Sequence, residues 1–426
     1  MTEPRSVPAS GAVPANAPVP PAESAPDAPP PYRRPPNLLA FPNFSLAERD
    51  RRWALVREIM LKRDVPYLVV PAGLRQSRRA RAIARYVSHI GGGSARVGVV
   101  FSLEGEPTAF VSDPEDWTQT QPWCHDVQPL PRMGTAELVE LLQRSGAQGR
   151  RVGIAGNMDG SARTAFRNGG GDVDWIDLTA DLERIRAIKS AEEISFLRRS
   201  ARIAEAALAE VENSLPLDAR DSELWATPLQ RLCTLGSELP VDIRWAMDPL
   251  SDPAALSRVP SFRPINVVGA LLGYIDAAWG GYHAGSMATF TCGPASPSIP
   301  DLAATLSGLW SESVENIAPG RDLSELTDYI ATEVSQIKGR GRHAGDLSIV
   351  PVLHGCGLGR DLPVLSATES GVARHATFIE AGWCFFWGLI ARSGAGCACV
   401  GDSIVIEATG ARRLGTGPIG LRSLSG

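Results

Sequence analysis

Residues 352–363 read Val352-Leu353-His354-Gly355-Cys356-Gly357-Leu358-Gly359-Arg360-Asp361-Leu362-Pro363. An apolar, strand-like run from Leu347 leads into the histidine, and a glycine-rich turn follows it. Glycine lets a backbone turn sharply and approach a pocket closely. The stretch therefore predicts a histidine held at the edge of a site, with the charged residue Asp361 a short distance further along the chain.

Size and composition limit the possible partners. The chain has 426 residues, a net charge of −5 and 44% hydrophobic residues, which is typical of a globular protein of about two or three domains. Its negative charge gives no electrostatic reason to expect a nucleic acid or an anionic membrane as a partner. No apolar run is long enough to cross a membrane, and the N-terminus lacks the pattern of a secretory signal.

The seven cysteines are scattered along the chain. None of their spacings is typical of a zinc knuckle or a redox turn, and Cys397-Ala-Cys399 is only a weak signal. We therefore expect reduced thiols and a cytoplasmic location.

The N-terminal part of the chain has two sections. Residues 1–43 are rich in Pro, Ala and Ser and predict a disordered arm. Order is expected from residue 44, because Ser45 and Glu48 have the spacing of a capping box at a helix start. We predict strands at 67–71, 97–101, 108–111 and 151–156, and helices at 79–90 and 135–145. Their alternation predicts an α/β domain with a mixed or parallel sheet.

The following part contains four predicted helices and a turn. Ser190 and Glu193 form a second capping box, and apolar residues between 194 and 208 recur at helical spacing. Further helices are predicted at about 221–235 and 299–316. Pro319-Gly320 predicts a turn, after which Ser324 would cap the next helix.

Taken together, the stretch around His354, the linker Arg186-Ala187-Ile188-Lys189-Ser190 and the Pro319-Gly320 turn resemble the pita-bread proteins. These include methionine aminopeptidase, prolidase, Xaa-Pro aminopeptidase and the metal-free creatinase. The resemblance covers about residues 45–426. It implies a creatinase-like α/β domain over 44–186, an α+β pita-bread domain over 187–426, and a homodimer.

The same resemblance implies two divalent metals bound by two Asp, one His and two Glu. Gly281-Tyr282 sets the register of the first two positions in the segment 272–290. In this register most of the expected carboxylates are missing. The expected ligand positions carry, in chain order, Tyr274, Gly285, His354, Trp387 or Gly388, and Gly401. One histidine cannot hold two metals, so we expect no metal and no other cofactor.

The metal-free creatinase pattern is missing as well. Its catalytic histidine would fall on Asp361, and its two active-site glutamates on Gly285 and Gly388. The chain therefore matches neither catalytic set of the proteins that it resembles.

Other side chains could rebuild a site in the same pocket. Because strand side chains alternate, Asp276 should face the same way as Tyr274, and His283 the same way as Gly285. With His354 and Asp361, they are the predicted catalytic residues, since a His–Asp pair can act as a general base. Each of the four could instead be structural.

Aromatic residues and an arginine are the predicted substrate-binding residues, because such walls suit a small anionic or planar ligand. They are Tyr274, Tyr282, Arg244, Trp245 and Trp387. For Trp387, a place in the hydrophobic core is an equal alternative.

Three functions remain open at this point. The first is a repurposed, metal-independent enzyme that hydrolyses an amide-like C–N bond of a small molecule. The second is a non-catalytic pita-bread protein that binds a ligand or a partner. The third is an ordinary Xaa-Pro metalloaminopeptidase whose ligands lie in another register. The Ala-, Arg- and Pro-rich composition suggests a high-GC bacterium and a role in specialised metabolism.

Overall fold

The computed structural model describes most of the chain from residue 41 onward. The described residues are 41–72, 78–92, 95–112, 114, 121–130, 150–156, 164, 168, 173–215, 219–246, 260, 262, 270–292, 298–340, 346–359, 361–365, 378–394 and 396–424. Nearly all of the predicted arm, residues 1–40, and the predicted helix at 135–145 lie outside them.

In the N-terminal half, the described residues form two helices and a six-stranded mixed sheet. The helices are α1 (Leu46–Lys62) and α2 (Arg78–Ser88). The strands are β1 (Tyr67–Val70), β2 (Val97–Ser102), β3 (Thr108–Val111), β4 (Val127–Pro129), β5 (Arg151–Ile154) and β6 (Asp174–Asp177), in the spatial order β4-β3-β2-β1-β5-β6. Strand β1 pairs antiparallel with β2 and parallel with β5, which confirms the predicted mixed α/β sheet.

Helix α1 begins where it was predicted, but its cap differs in one bond. The Ser45 hydroxyl accepts a hydrogen bond from the backbone N–H of Glu48. The Glu48 carboxylate does not return the bond; it binds Arg51 and Arg52 instead. The backbone N–H of Ser45 donates to Glu192. The predicted capping box is therefore half formed, because two arginines hold the glutamate.

Two helices connect the halves of the chain: α3 (Thr179–Ala187) and α4 (Ala191–Ser214). Ser190 and Glu193 form the predicted reciprocal capping box at the start of α4. Leu197, Ala201, Ala204 and Leu208 are buried along one side of this helix, as their spacing predicts.

The C-terminal half contains the larger sheet, which is nine-stranded within the described residues. Its strands are β7 (Ile243–Ala246), β8 (Ala270–Trp279), β9 (Tyr282–Cys292), β10 (Ser348–Gly355), β11 (Asp361–Leu365), β12 (Cys384–Ser393), β13 (Gly396–Glu407), β14 (Gly410–Arg413) and β15 (Leu421–Leu424). The helices of this half are α5 (Asp221–Thr234), α6 (Ser298–Glu315) and α7 (Leu323–Gly339). The main order is β11-β10-β12-β13-β9-β8-β7; β14 joins β13, and β15 lies parallel to β9. This antiparallel arrangement with packed helices confirms the predicted α+β half.

The predicted cap of α7 was wrong by two residues. Asp322, and not Ser324, is the N-cap, since its carboxylate accepts hydrogen bonds from the backbone N–H and the hydroxyl of Ser324. Glu325 completes a capping box with Asp322. The helix starts earlier because an aspartate is an equally good cap and lies nearer the Pro319-Gly320 turn.

A buried cation joins the two halves. The Arg52 guanidinium on α1 lies over the rings of Phe44, Tyr86, Trp123 and Tyr282, at 4.4, 4.7, 5.0 and 5.7 Å. It also pairs with Glu48 and, at 3.5 Å, with Glu193 at the start of α4. The cluster fixes α1 against the first residue of β9.

Two further expectations can be compared with the structure. No helix in the described ranges is long and apolar enough to cross a membrane. Of the seven cysteines, the six whose side chains are described carry free thiols. The boundary predicted at residues 186–187 stays a prediction.

Candidate active site

The β8–β9 hairpin brings the predicted residues onto one face of the larger sheet. Gly280 and Gly281 form its turn with φ values of +57° and +80°, a conformation that favours glycine. Across the hairpin Asp276 pairs with Gly285, and Ala278 pairs with His283. Because paired residues share a face, Asp276 and His283 lie on the same side as Tyr274.

These side chains line a small cleft with His354, which lies on β10. The cleft has a volume of about 290 Å³, counting the space that opens to solvent. The other residues of its lining are Asp242, Ala284, Gly285, Gly355 and Gly359. Of the nine predicted site residues, the structure brings Tyr274, Asp276, His283 and His354 together here. Their chemical roles stay predictions.

The first pair in the cleft is Asp276 and His283. Asp276 is 4% exposed, and its Oδ2 lies 3.5 Å from Nδ1 of His283. Its Oδ1 accepts a hydrogen bond of 2.7 Å from the backbone N–H of Asp242. The carboxylate is therefore fixed from the β7 side and faces one nitrogen of the imidazole, which favours the proton on Nδ1.

The second pair is Tyr274 and His354. The Tyr274 hydroxyl lies 3.1 Å from Nε2 of His354, and the imidazole stacks on the Phe386 ring with an interplanar angle of 14°. Burial, together with the negative charges of Asp276 and Asp242, raises the pKa of Tyr274 well above its usual value. The phenol is therefore neutral at physiological pH and can donate its proton in a hydrogen bond.

Aromatic rings lie against the three glycines that the register predicted from the sequence places at metal-ligand positions. A Cβ placed on Gly285 would come within 2.8 Å of the Tyr274 hydroxyl. A Cβ on Gly388 or Gly401 would come within 2.7 or 2.6 Å of the Phe386 ring. Real side chains cannot approach this closely, so carboxylates do not fit at these positions unless the rings move.

The donor atoms around the cleft do not fit a two-metal centre either. In the part of the chain that the structure describes, no group of three or more His, Cys, Asp or Glu side chains is arranged to hold a metal ion. The two carboxylates at the cleft are already engaged, Asp242 by Arg244 and Asp276 by the backbone N–H of Asp242 and by His283, so neither is placed to bridge two hard cations.

Asp361 lies outside the cleft lining. Its carboxylate pairs with the guanidinium of Arg186 and, at 3.0 Å, with Nζ of Lys189. The side chains of Asp361 and Arg186 are 3% exposed, and that of Lys189 is 0% exposed. The ion pairs tie the segment between α3 and α4 to β11, so the geometry gives Asp361 a structural position.

The predicted substrate-binding residues divide into three settings. The Tyr282 hydroxyl donates to Glu193 inside the Arg52 cluster. Trp245 is buried below Gly273 in the core against α4 and α5, and Trp387 is fully buried, with its indole N–H donating to Ser313. Arg244 binds the Asp242 carboxylate, and its guanidinium lies 5.6 Å from the Tyr274 ring. Only Tyr274 of these residues lines the cleft.

Sequence reasoning assigned no role to two residues of the site. Asp242 supplies a carboxylate at the cleft, and its backbone N–H holds Asp276. Its position as a polar residue directly before the short strand β7 was the one feature of the sequence that could have indicated this role. The Phe386 ring fills the space beside Gly388 and Gly401. The sequence around Phe386 contains no pattern that predicts this position.

Comparisons with known proteins agree with this geometry at the level of the fold. No known protein family matches the chain by sequence, and no curated protein does. Solved structures match over 84–90% of the chain, and they are pita-bread proteins. The chain thus has the pita-bread fold with a creatinase-like N-terminal domain.

The similar structures are proline-directed peptidases. A prolidase from Thermococcus sibiricus has a TM-score of 0.71 at 14% identity, covering 89% of this chain and 100% of its own. An Xaa-Pro dipeptidase from Bacillus anthracis has a TM-score of 0.68 at 17% identity, covering 88% and 100%. An X-Pro aminopeptidase from Thermotoga maritima has a TM-score of 0.68 at 14% identity, covering 84% and 98%. Identities this low define the fold of the chain and leave its chemistry to the site.

Proposed function

We propose that this protein is a metal-independent enzyme that hydrolyses an amide-like C–N bond of a small molecule. The observation that carries the proposal is the meeting of two acid–base pairs in one cleft, Asp276 with His283 and Tyr274 with His354. Tyr274 has a pKa that burial raises, and a perturbed, buried titratable group in a cleft is typical of catalytic sites.

The pairs divide the chemistry of hydrolysis between them. With Asp276 facing its Nδ1, His283 takes a proton from water through Nε2, and the water oxygen bonds to the substrate carbonyl carbon. Tyr274 stays protonated and donates a hydrogen bond to the carbonyl oxygen as negative charge develops on it. His354 gives a proton from Nε2 to the leaving nitrogen as the C–N bond breaks, and the proton that His283 took from water then passes through solvent to Nε2 of His354, so that both imidazoles end as they began. One water is consumed, and an acid and an amine are released.

The setting of the cleft supports a small substrate: Asp276 is 4% exposed at its wall, and the backbone of two neighbouring strands encloses it. We place the protein in the cytoplasm as a homodimer, in keeping with its free thiols and the two-domain plan, and in specialised metabolism as its composition suggests.

A second candidate is an Xaa-Pro metallopeptidase, which the names of the similar structures favour. It requires carboxylates from residues that the structure does not describe, such as Asp252 or Glu369, to complete a metal site with His354. A third, a non-catalytic binding protein, would keep the cleft and lack turnover.

One assay separates the three. Purified protein is incubated with Xaa-Pro dipeptides, N-acyl amino acids and creatine, with a chelator or with Mn²⁺, Co²⁺ or Zn²⁺. We expect turnover that survives the chelator and is lost in His354→Asn, but is kept in the matched control His125→Asn, whose side chain is 77% exposed. Turnover that depends on a metal would overturn the proposal in favour of the peptidase. Saturable binding without turnover in any condition would indicate the binding protein.

A further inference from the structure

A second cavity adjoins the candidate active site, and His283 lies where the two spaces meet. The cavity has a volume of about 450 Å³, counting the space open to solvent, and one water takes up about 30 Å³ of the liquid, so it has room for several waters. His283 lines both this cavity and the active-site cleft. The loop beside it continues from one space to the other, because Leu358 lines the cavity and the next residue, Gly359, lines the cleft.

The backbone of His283 is fixed at this boundary. Its N–H donates to the carbonyl of Gly357 at 2.8 Å, and its carbonyl accepts from the N–H of Gly357 at 3.3 Å. The imidazole is 13% exposed, and its Nδ1 lies 3.5 Å from Asp276, which lines the cleft and not the cavity. The Nδ1 edge of the ring therefore faces the wall of the cleft, and the remainder of the side chain is the part that borders the cavity.

One wall of the cavity carries polar groups that suit water. Both terminal nitrogens of Arg85 donate to the Glu238 carboxylate at 2.8 Å, so these two charges are paired and neither is offered to an ionic ligand. A carboxylate has about four acceptor positions. Arg85 uses two of them, and the Glu238 side chain, which is 26% exposed, can accept further hydrogen bonds from water. The backbone N–H of Glu238 donates to Ala278, which fixes this wall against β8.

The rest of the lining is mainly apolar and shows where the cavity opens. Ile90, Val97 and Leu358 are 0%, 4% and 6% exposed, whereas Leu239 is 47% exposed. Leu239 therefore lies at the outer end of the cavity, and a larger side chain there would narrow the opening without entering the core. Water beside apolar walls has few hydrogen-bond partners and exchanges readily, which suits a passage for water better than a site for ordered waters.

We propose that this cavity is the solvent entrance of the candidate active site, through which water reaches the His283 imidazole while the substrate occupies the cleft. Water enters from the cavity as the nucleophile, and the proton that His283 takes from it leaves to solvent by the same passage. The access of solvent to His283 stands on the lining of the cavity, whereas its use in hydrolysis rests on the proposed function.

Solvent access to a single histidine can be measured without a substrate. Solvent hydroxide removes the imidazole Cε1 hydrogen slowly, and in D₂O mass spectrometry of peptic fragments gives the exchange rate of each histidine. Leu239→Trp narrows the opening, and Leu239→Ala leaves it open. The matched control is Leu229→Trp, at a residue of α5 that is 38% exposed and lines neither space. His354 lines the cleft and not the cavity, so it is an internal reference in each sample.

We expect exchange at His283 to slow several-fold in Leu239→Trp, and to be as fast as in the wild type or faster in Leu239→Ala and Leu229→Trp. His354 should exchange at the wild-type rate in all three. Circular dichroism checks the fold of each variant, and Leu239→Phe replaces Leu239→Trp if the larger ring prevents folding. An unchanged rate at His283 in the narrowed variant, or equal slowing of His283 and His354, would overturn the proposal.

Turnover, measured on the full chain with a chelator present, gives a second readout. Leu239→Trp should lower kcat several-fold and leave KM close to the wild-type value, because the cleft that holds the substrate is unchanged. Wild-type turnover in Leu239→Trp, in spite of slowed exchange at His283, would overturn the role of the cavity in hydrolysis. Slowed exchange with no turnover even in the wild type would leave the solvent entrance standing and count against the hydrolase alone.

Discussion

Replacing Asp361 with asparagine tests whether this residue is structural or catalytic. The register predicted from the sequence puts Asp361 at the position of a catalytic histidine, but in the structure its carboxylate is enclosed by Arg186 and Lys189. Asparagine has the same shape and keeps one acceptor oxygen, but it removes the negative charge. Two cations would then be buried without a counterion.

The size of the effect follows from burial. All three side chains are 3% exposed or less, so water cannot replace the lost charge. Removing one partner of a buried ion pair costs about 3–5 kcal/mol of the free energy of unfolding. Asp361→Asn should reach this range. In the double variant Asp361→Asn/Lys189→Met, one stranded cation is gone, and part of the loss should be recovered.

Urea unfolding, followed by tryptophan fluorescence and circular dichroism, measures this change. The matched control is Asp181→Asn, which breaks the surface pair of 2.8 Å with Arg63, whose side chain is 52% exposed; it should cost less than about 1 kcal/mol. If Asp361→Asn were as stable as this control and yet lost turnover, Asp361 would be a catalytic residue and our structural assignment would be wrong.

Three further predictions concern the site, pH and the core. Tyr274→Phe should lower kcat about 10²-fold, as loss of one donor to a developing oxyanion does, with an unchanged circular dichroism spectrum. Burial raises the pKa of Asp402 from 3.8 to about 7, so the folded chain binds this proton more tightly than the unfolded chain does. The free energy of unfolding should therefore fall as the pH rises from 4 to 7. In urea titrations, Asp402→Asn should reduce this dependence on pH. Arg52→Met should cost about 3–5 kcal/mol in thermal or urea unfolding, and Arg51→Met, which alters a side chain that is 35% exposed, should cost less.

A different result would contradict each of these three predictions. A fully active Tyr274→Phe enzyme would remove the phenol from the mechanism. If the free energy of unfolding of Asp402→Asn still fell between pH 4 and 7, groups other than Asp402 would titrate in this range. Equal losses in Arg52→Met and Arg51→Met would mean that the four rings around Arg52 contribute little.

The elements with local signals were predictable from the sequence. Capping residues and apolar spacing located α4, and the alternation of strand side chains placed Asp276 and His283 on the face of Tyr274. Such signals act within a few residues of the element that they define. They failed where two local solutions compete, as at the start of α7, where both Asp322 and Ser324 can cap a helix.

The contacts between distant segments were not predictable in the same way. Asp361 lies seven residues after His354, but its partners are Arg186 and Lys189, far away along the chain. For Trp387 the sequence left a place in the pocket and a place in the core as equal alternatives, and the structure has it in the core, with its indole N–H donating to Ser313 of α6. In both cases the side chain meets a partner from another element, and no spacing in the sequence indicates which one.

The arrangement of glycines and rings favours a reshaped site over a decayed one. Loss of function alone would leave substitutions unrelated to each other, but here Gly285 makes room for the Tyr274 ring, and Gly388 and Gly401 make room for the Phe386 ring. The Phe386 ring in turn supports the His354 imidazole by stacking, and the Tyr274 hydroxyl binds its Nε2. The two rings therefore hold the His354 imidazole in a fixed orientation. A histidine positioned in this way can act as an acid or base, and for this reason we prefer an enzyme to a non-catalytic binding protein.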